Sequence, residues 1–518
     1  MKPWLSVWPE GVPQSIEYPE EPAYAPFLES ARGHPGRCAV AQAETGSCLE
    51  YSKLEALAKR VASWLQGRGA GPGVQVLYSA FNTPEAVAGL LGVWMSGAQA
   101  VLVDPLTTSE DLRFQLEGRG IRLAVVSPEF YERERATLAA SGVEEALVLT
   151  GYYEGRGGGP GASDLGGLAG LEREWREPAL RPGEDVSTVM YYSGIAGRTM
   201  QTLHTHMGPL ASTIAYTAML QLGEPPVSLV VAPLTHVLGL QAGILPALYY
   251  GGTAVLMRRW RPRAALAAMA AWGVNYLSGA PMMHESLLAE ARAWRPEGLR
   301  LSIGVSGGAP LKPEVQREYR EVLGAPLVQL YGMTETWVVT FQPRHLADVE
   351  ATVGIPLPDV DAKIVDPEDP HSERGVGEVG ELLVRAPWVM KGYEDPEETR
   401  RAFADGWVRT GDLMVMDERG LLYFRGVRKR MIKYKAYPIF PRDLEIILER
   451  HPAVEKAYVY GEPHPEHGQI PVARVRLRPE YRGRVTPEDL MEYVNSRVAF
   501  YKKIRRVEVV EGDPASTP

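Results

Sequence analysis

The 518-residue chain has only two cysteines, no long apolar run and no surplus of positive charge. Its first 22 residues carry prolines and acids where a secretory signal needs an uninterrupted apolar segment, and no later run reaches membrane-spanning length. The formal net charge of -9 gives no broad basic surface for a nucleic acid. We therefore expect a cytoplasmic protein that has no membrane span and does not bind nucleic acid.

The two cysteines, Cys38 and Cys48, flank a predicted hairpin turn at Glu44, Thr45 and Gly46. A disulfide across such a hairpin fits this spacing. The ordinary interpretation is a pair of buried thiols that act as small hydrophobic side chains. The sequence leaves both alternatives open.

The common glycine-rich nucleotide motifs are also absent. No Walker A sequence occurs, and GVGEVG at 375–380 is followed by a strand pattern instead of a phosphate-binding helix. The segment DVSTVMYYSGIAGRTMQTLHTH at 185–206 places a Ser-Gly loop after a strand, where backbone N–H groups can face an anion. Any nucleotide is therefore held by another device, and this loop by itself is more typical of a turn than of a phosphate site.

Short apolar runs alternate with helical patterns from Val74 onward, which predicts βαβ units and parallel sheets. A glycine-rich stretch at 155–167 is interpreted as a linker, and a second βα series begins at Val186. Segments after Gly354 are β-rich, and the C-terminal residues form a small mixed unit. We expect an α/β fold with a large domain at 1–428, built of two lobes and a β-rich subdomain, and a small α+β domain at 429–518.

Six segments occur in an order and spacing that resemble one superfamily. They are PLTHVLGL (233–240), VSGGAPL (305–311), YGMTET (331–336), VGELLVRAPWVMKGY (379–393), GWVRTGDL (406–413) and FRGVRKRMIKYKAYPIFPRDLE (424–445). Over nearly its whole length the chain resembles the adenylate-forming superfamily, which contains acyl-CoA synthetases, 4-coumarate-CoA ligases, luciferases and peptide-synthetase adenylation domains. The resemblance implies that fold, with a mobile small domain, and the activation of a carboxylic acid by ATP.

The resemblance also implies residues for the nucleotide. Asp412 would accept hydrogen bonds from the ribose hydroxyls, Thr334 would bond phosphate oxygens, and Glu335 would hold Mg²⁺. Thr334, Glu335 and Lys435 are the catalytic candidates. The remaining nucleotide candidates are Ser193, Gly194, Gly197, Gly308, Ala309, Pro310, Tyr331, Gly332 and Met333.

The acid and coenzyme A receive candidates in the same way. The acyl pocket would be lined by His236, Gly307, Met333 and Trp337, and the apolar segment after His236 could line a tunnel. The hinge would lie at Lys429, and coenzyme A would meet Lys433, Ala436 and Tyr437. Structural alternatives stay open: a satisfied core histidine, a tryptophan that fills volume, an Asp412 that caps a turn and a solvated basic linker.

The chain departs from the family pattern where phosphate and ribose are bound. Ile195, Ala196, Thr199 and Met200 stand where the family has hydroxyl residues and a Pro-Lys pair, and Val427 replaces an arginine. The family's final lysine motif is also missing, since no lysine follows Lys503. Loss of one pre-organised donor typically costs about 2.7 to 4 kcal/mol, although such losses are not additive.

These observations lead to one main expectation and two alternatives. The main expectation is an ATP- and Mg²⁺-dependent acid–thiol ligase that converts a fatty or aryl acid to acyl-AMP and then to acyl-CoA. The first alternative is a degenerate homologue that binds an adenylate or acyl-CoA, or performs only the thioester-forming half-reaction. Activation of an amino acid for a carrier protein is the other, for which no residue to pair with an amino group is found. The expected partners are a small carboxylic acid, ATP and CoA, and a homodimer is left open.

Overall fold

The computed structural model describes residues 2–150, 162–165, 167–170, 174–192, 200–427, 432–435, 437–439, 441–512 and 514. Its strands, in chain order, are β1 (Cys38–Gln42), β2 (Cys48–Glu50), β3 (Gln75–Ser79), β4 (Gln99–Leu102), β5 (Leu123–Val126), β6 (Glu145–Val148), β7 (Ala162–Asp164), β8 (Val186–Tyr192), β9 (Met200–Thr205), β10 (Val227–Val230), β11 (Thr253–Leu256), β12 (Tyr276–Gly279), β13 (Ile303–Ser306), β14 (Leu327–Met333), β15 (Trp337–Phe341), β16 (Ile355–Pro356), β17 (Asp361–Val365), β18 (Gly380–Arg385), β19 (Gly392–Tyr393), β20 (Phe403–Ala404), β21 (Trp407–Met416), β22 (Leu422–Val427), β23 (Ile432–Tyr434), β24 (Tyr437–Ile439), β25 (Val454–His464), β26 (Gly468–Leu477) and β27 (Arg506–Val509).

Many helices begin at a proline, whose fixed φ suits the first helical position, where no backbone donor is needed. The α-helices are α1 (Ala25–Gly33), α2 (Tyr51–Gln66), α3 (Pro84–Met95), α4 (Ser109–Leu116), α5 (Pro128–Ala140), α6 (Met207–Leu220), α7 (Val237–Gly239), α8 (Leu245–Tyr249), α9 (Pro262–Trp272), α10 (Pro281–Ala293), α11 (Pro313–Leu323), α12 (Pro396–Ala402), α13 (Pro441–Glu449) and α14 (Pro487–Asn495). Between α7 and α8 the apolar segment after His236 forms a π-helical turn at Leu240–Ile244. None of the helices described is long and apolar enough to cross a membrane.

Two large sheets form the body of the chain. One has the strand order β16-β15-β14-β13-β12-β10-β11-β1-β2, and the other has the order β19-β9-β8-β4-β3-β5-β6-β7. The central strands of both sheets pair in parallel. Antiparallel strands are added at both ends of the first sheet and at the β19 end of the second. Helix α3 is buried along its whole length in a core that includes residues of both sheets. The predicted α/β fold with parallel-rich sheets is confirmed.

The predicted division between the two βα lobes is wrong in detail. We expected the strand that begins at Val186 to open the second lobe, but β8 pairs with β4 in the sheet of the first βα series. The N-terminal strand β1 instead pairs with β11 of the other sheet. Within the glycine-rich stretch, Ala162–Asp164 forms strand β7 and not a loop. Strand pairing over long separations in the chain decides these positions, and local hydrophobic patterns do not encode it.

The β-rich subdomain and the small C-terminal unit have the predicted character. Strands β17, β18, β21, β20 and β22 form one five-stranded sheet, and β23 to β27 form another with α13 and α14 beside it. The core of the small unit is a separate hydrophobic cluster that contains only residues after 431. The boundary near residue 428 stays a prediction, and the hinge candidate Lys429 lies outside the described residues.

The two cysteines form a disulfide, which is one of the two alternatives that the sequence left open. Cys38 and Cys48 are bonded across the hairpin of β1 and β2, with their Cα atoms 5.8 Å apart. The bond ties the edge strand β2 to the nine-stranded sheet.

Candidate functional site

The motifs meet at the carboxyl ends of two neighbouring parallel strands. Gly307, Gly308, Ala309 and Pro310 directly follow β13, and the segment Tyr331 to Met333 ends β14. Ligands collect at this edge of parallel sheets because the chain leaves each strand there and opens a crevice. The structure thus brings the adenine-wall candidates together, as the sequence predicted.

The glycines at this edge have different reasons for being glycine. Gly308 has φ +82°, and no heavy atom lies within 4 Å of the position that a Cβ would take. Its backbone therefore faces open space, as a wall for a flat ligand requires. Gly332 is the opposite case, since a Cβ there would overlap the backbone carbonyl of Trp337. Gly307 is similarly tight, because a Cβ would overlap the side chain of Leu330.

The ribose candidate Asp412 lies on β21 and faces the same edge. Its carboxylate accepts a hydrogen bond from the Tyr331 hydroxyl at 2.7 Å. Burial raises the pKa of Asp412, and the nearby charge of Lys433 and the Tyr331 hydrogen bond oppose that shift. The tyrosine thus orients one carboxylate oxygen.

The small domain adds a positive charge to this wall. Lys433 Nζ donates to the carbonyl oxygen of Gly308 at 3.3 Å and lies 5.6 Å from the centre of the Phe424 ring. Burial lowers the pKa of Lys433, and Asp412 partly restores it. Gly308, Tyr331, Asp412 and Lys433 thus form a continuous group of contacts, which we call the adenylate wall. Lys433 belongs to the small domain, and Gly308, Tyr331 and Asp412 belong to the large domain.

The other candidates on this hairpin point elsewhere or are not described. Lys435 sits at the turn in a left-handed conformation, φ +48°, with its ammonium 5.8 Å from the centre of the Tyr434 ring. Tyr437 stacks on Tyr501 at a centroid distance of 4.5 Å. Of the two predicted lysines, Lys433 is therefore the one that contacts the wall. Ala436 lies outside the described residues, as do the loop candidates Ser193, Gly194 and Gly197.

Thr334 and Glu335 form the turn after β14, and both are buried. The Glu335 carboxylate accepts a hydrogen bond from the Tyr393 hydroxyl at 2.6 Å, and its backbone carbonyl accepts from Met390 N at 2.7 Å. Tyr393 belongs to β19, which pairs with β9, the strand that follows the Ser-Gly loop. Three segments distant in sequence are therefore joined around the predicted metal ligand.

The oxygen donors of Thr334 and Glu335 suit a hard cation such as Mg²⁺. Within the ranges described, no group of three or more His, Cys, Asp or Glu residues could enclose a metal ion. The donor set fits a cation that one carboxylate shares with the phosphates of a nucleotide, which is the usual way in which Mg²⁺ is held.

Sequence reasoning missed His204, which packs against the same turn. Trp337 Nε1 donates to His204 Nδ1 at 2.8 Å, and the two buried rings meet edge to face. Burial lowers the pKa of His204 to about 3, opposed by a backbone interaction with Thr334, so the ring stays neutral and Nδ1 can accept. Trp337 has φ +57°, a conformation that costs a bulky residue about 1 to 2 kcal/mol. The fully buried tryptophan therefore supports the turn here.

Of the acyl-pocket candidates, Met333 and Trp337 pair across β14 and β15. His236 is exposed and caps α7, with its Nδ1 accepting from Leu238 N at 3.1 Å, so it is not a buried core histidine. Met333 is buried at the end of β14. The roles of His236, Gly307, Met333 and Trp337 toward an acid stay predictions.

Tyr393 was also missed, although its signal was present. The segment VGELLVRAPWVMKGY ends on this tyrosine, but nothing local indicates that its hydroxyl reaches Glu335 across 58 positions. His204 had no signal of its own, because a histidine within a strand is common.

The fold is a large α/β body and a small C-terminal unit, and the adenylate wall includes residues of both. The family model described as AMP-binding enzyme matches residues 27–394, and the model of the AMP-binding enzyme C-terminal domain matches residues 443–517. The chain belongs to the AMP-binding enzyme family. The predicted membership of the adenylate-forming superfamily is thereby confirmed.

Curated relatives match nearly the whole chain. The 4-coumarate-CoA ligase-like 6 of Oryza sativa subsp. japonica is 32% identical over 95% of this chain and 83% of its own length. A long-chain-fatty-acid-CoA ligase of Bacillus subtilis (strain 168) is 27% identical over 97% of this chain and 93% of its own.

Two solved structures of one relative, the o-succinylbenzoate CoA synthetase of Bacillus subtilis, resemble the chain to different degrees. The structure bound with the product analogue OSB-NCoA has a TM-score of 0.82, with 26% identity and coverage of 96% of each chain. The complex with the acyl-adenylate intermediate OSB-AMP has a TM-score of 0.69, with 26% identity and coverage of 95% of each chain.

Proposed function

We propose that this chain is an ATP-dependent acid–CoA ligase that acts on a fatty or aryl carboxylic acid. The adenylate wall is the observation that carries the proposal, since it joins an open glycine backbone, a partly buried carboxylate and a lysine from the second domain. The curated relatives are CoA ligases, so the main expectation from the sequence is supported and the degenerate, binding-only alternative is not favoured.

The reaction has two displacements. In the first, an oxygen of the acid attacks the α-phosphorus of ATP, and the bond to pyrophosphate breaks to give acyl-AMP. In the second, the CoA sulfur, having lost its proton, attacks the acyl carbonyl, and AMP leaves with the electron pair of the broken C–O bond. Both steps move negative charge across phosphate oxygens, so electrostatic stabilisation is the main task of the site.

Each described residue has a part in this scheme. Gly308 to Pro310 would flank the adenine, Asp412, oriented by Tyr331, would accept from the ribose hydroxyls, and Lys433 would contribute positive charge beside AMP. Thr334 and Glu335 would hold the phosphates and Mg²⁺, and the ion, when bound, would neutralise phosphate charge. A cytoplasmic location, where ATP and CoA are available, belongs to the same proposal.

The arrangement of the two domains fits the second displacement. The hairpin of β23 and β24 lies against the adenylate wall through Lys433. The overall shape is also closer to the relative bound with a CoA product analogue than to the same relative bound with an acyl-adenylate. We infer that the small domain is placed here for thioester formation and must turn for adenylation.

Acid-dependent ATP–pyrophosphate exchange, measured beside thioester formation, tests the proposal. The purified chain, with ATP, Mg²⁺ and a panel of linear fatty acids and aryl acids, should catalyse exchange with at least one acid and form its CoA thioester when CoA is added. Thioester formation only from pre-made acyl-AMP would favour the half-reaction alternative. If no acid supported either pyrophosphate exchange or thioester formation, the proposal would be contradicted.

Replacing Tyr393 by phenylalanine should weaken the apparent affinity for Mg²⁺ about 10- to 100-fold, the usual cost of removing a group that orients a metal ligand. The hydroxyl donates to the Glu335 carboxylate at 2.6 Å, and the substitution removes only that oxygen. The measurement is a Mg²⁺ titration of pyrophosphate exchange at saturating ATP.

Tyr18→Phe is the matched control, because it removes a phenol–carboxylate hydrogen bond of 2.9 Å to Asp359 outside the site. The control should titrate like the unmodified chain. Equal Mg²⁺ curves for Tyr393→Phe and Tyr18→Phe would show that the Tyr393 bond does not support metal binding.

A further inference from the structure

A buried lysine joins the two domains at a distance from the adenylate wall. Lys502 Nζ lies 3.1 Å from Asp111 Oδ1 on α4 of the large domain and 3.5 Å from Asp443 Oδ2 on α13 of the small domain. The side chains of Lys502, Asp111 and Asp443 are only 10%, 14% and 12% exposed. We call these three residues the interdomain triad.

Other contacts surround the triad but are more open to solvent. Glu110 lies 3.6 Å from both Arg450 and Arg497 of the small domain, and the three side chains are 28%, 53% and 36% exposed. Ion pairs in such positions contribute little because solvent screens them. Breaking a buried pair by removing one partner is far more damaging, because the other charge stays desolvated. The triad should therefore dominate the electrostatics of this interface.

The triad is linked to the adenylate wall through its neighbour in sequence. Tyr501 stacks on Tyr437 with ring centres 4.5 Å apart and planes inclined by 14°. Tyr437 pairs with Tyr434 in the β23–β24 hairpin, which also carries Lys433 to the carbonyl of Gly308. A shift of Lys502 away from Asp111 would therefore shift the base of the hairpin that presents Lys433.

The triad also distinguishes one domain arrangement from another. Lys502 and Asp443 travel together in the small domain, whereas Asp111 belongs to the large one. The contact between Lys502 and Asp111 thus exists only while the small domain is docked as seen here. A contact made in one arrangement and not in the other shifts the population toward the first.

We infer that Asp111 and Lys502 are positioning residues for thioester formation, which hold the small domain so that the Lys433 hairpin faces the adenylate wall. The inference rests on the proposed function, because it assigns the docked arrangement to the second displacement. Neither residue touches a reacting atom; both act through the hairpin.

Separate measurement of the two half-reactions tests the inference. Asp111→Asn keeps the shape of the side chain and removes its charge, so thioester formation from pre-made acyl-AMP and CoA should slow at least about tenfold, the loss that corresponds to about 1.4 kcal/mol. Acid-dependent pyrophosphate exchange should stay the same or rise. Lys502→Met should show the same split, and Asp111→Glu should recover most of the thioester rate.

Glu110→Gln is the matched control, since Glu110 neighbours Asp111 and also faces the small domain, but in a solvent-exposed pair. Its two rates should stay unchanged. The inference is overturned if Asp111→Asn slows both half-reactions equally, if it slows neither, or if Glu110→Gln has the same effect. Absence of both activities in the unmodified chain would instead overturn the proposed function, so the two failures are distinguishable.

Discussion

Replacing Glu335 by glutamine should slow acid-dependent pyrophosphate exchange about 100- to 1000-fold, the usual cost of losing one pre-organised electrostatic group at a charged reaction centre. The amide oxygen of glutamine can still accept the hydrogen bond from Tyr393, so the buried turn should keep its shape. What is lost is the negative charge that would hold Mg²⁺ against the phosphates. The measurement is the exchange rate at saturating ATP over a range of Mg²⁺ concentrations.

The control for this substitution is Glu445→Gln. Glu445 is also a buried glutamate, but its carboxylate accepts from Val459 N at 2.9 Å within the small domain. Its replacement should leave exchange nearly unchanged. If Glu335→Gln retained exchange within about fivefold of the unmodified chain, Glu335 would not be part of the phosphate and metal site.

The edge of the sheet that carries the site could be predicted from the sequence because its signals are local. A strand followed by Gly-Gly-Ala-Pro indicates where the chain leaves the sheet, and a second strand that ends in Tyr331 and Gly332 indicates the neighbouring exit. Parallel strands present their carboxyl ends at one edge, so these segments had to meet. Asp412 became a candidate only because its motif resembled that of a family, and the structure places it beside Tyr331.

The support of the site could not be predicted in the same way. Tyr393 reaches Glu335 from 58 residues away, and Trp337 meets His204 across 133. Asp111 and Lys502 are separated by 391 positions. Such partners are fixed by the packing of whole elements, and no spacing in the sequence encodes them. The same reason explains the misplaced strand at Val186, whose pairing with β4 is equally remote.

Two residues with positive φ illustrate the difference between local signals and support from distant residues. Gly308 was a candidate for the flat wall of the site, and its φ of +82° is a conformation that glycine tolerates. The φ of +57° at Trp337 could not be predicted from the sequence, since a bulky residue in this conformation is unfavourable by itself. Its conformation persists because the surrounding core and the bond to His204 offset the local cost. Strain of this kind is concentrated where a turn must keep one shape, here beside Thr334 and Glu335.

Replacing Asp412 by asparagine should raise the KM for ATP about 10- to 100-fold, because hydrogen bonds to a charged group contribute about 1.5 to 3 kcal/mol each. Asparagine can still accept from the Tyr331 hydroxyl, so the wall should stay intact while the carboxylate is lost. Asp417→Asn is the matched control, since Asp417 also accepts from a tyrosine, Tyr423, at 3.2 Å, but has no predicted role toward the nucleotide. The measurement is the initial rate of exchange as a function of ATP concentration.

The same substitution should change how nucleotide affinity depends on pH. Burial raises the pKa of Asp412, and Lys433 and the Tyr331 hydrogen bond only partly oppose the shift. As the pH falls through that raised value the carboxylate is protonated, so the unmodified chain should lose affinity for ATP on the acid side, whereas Asp412→Asn should lack this loss. If the two proteins shared one KM and one acid limb, the ribose would be bound elsewhere. A retained acid limb with an increased KM would mean that another group, such as Glu381 beside Asp412, carries the titration.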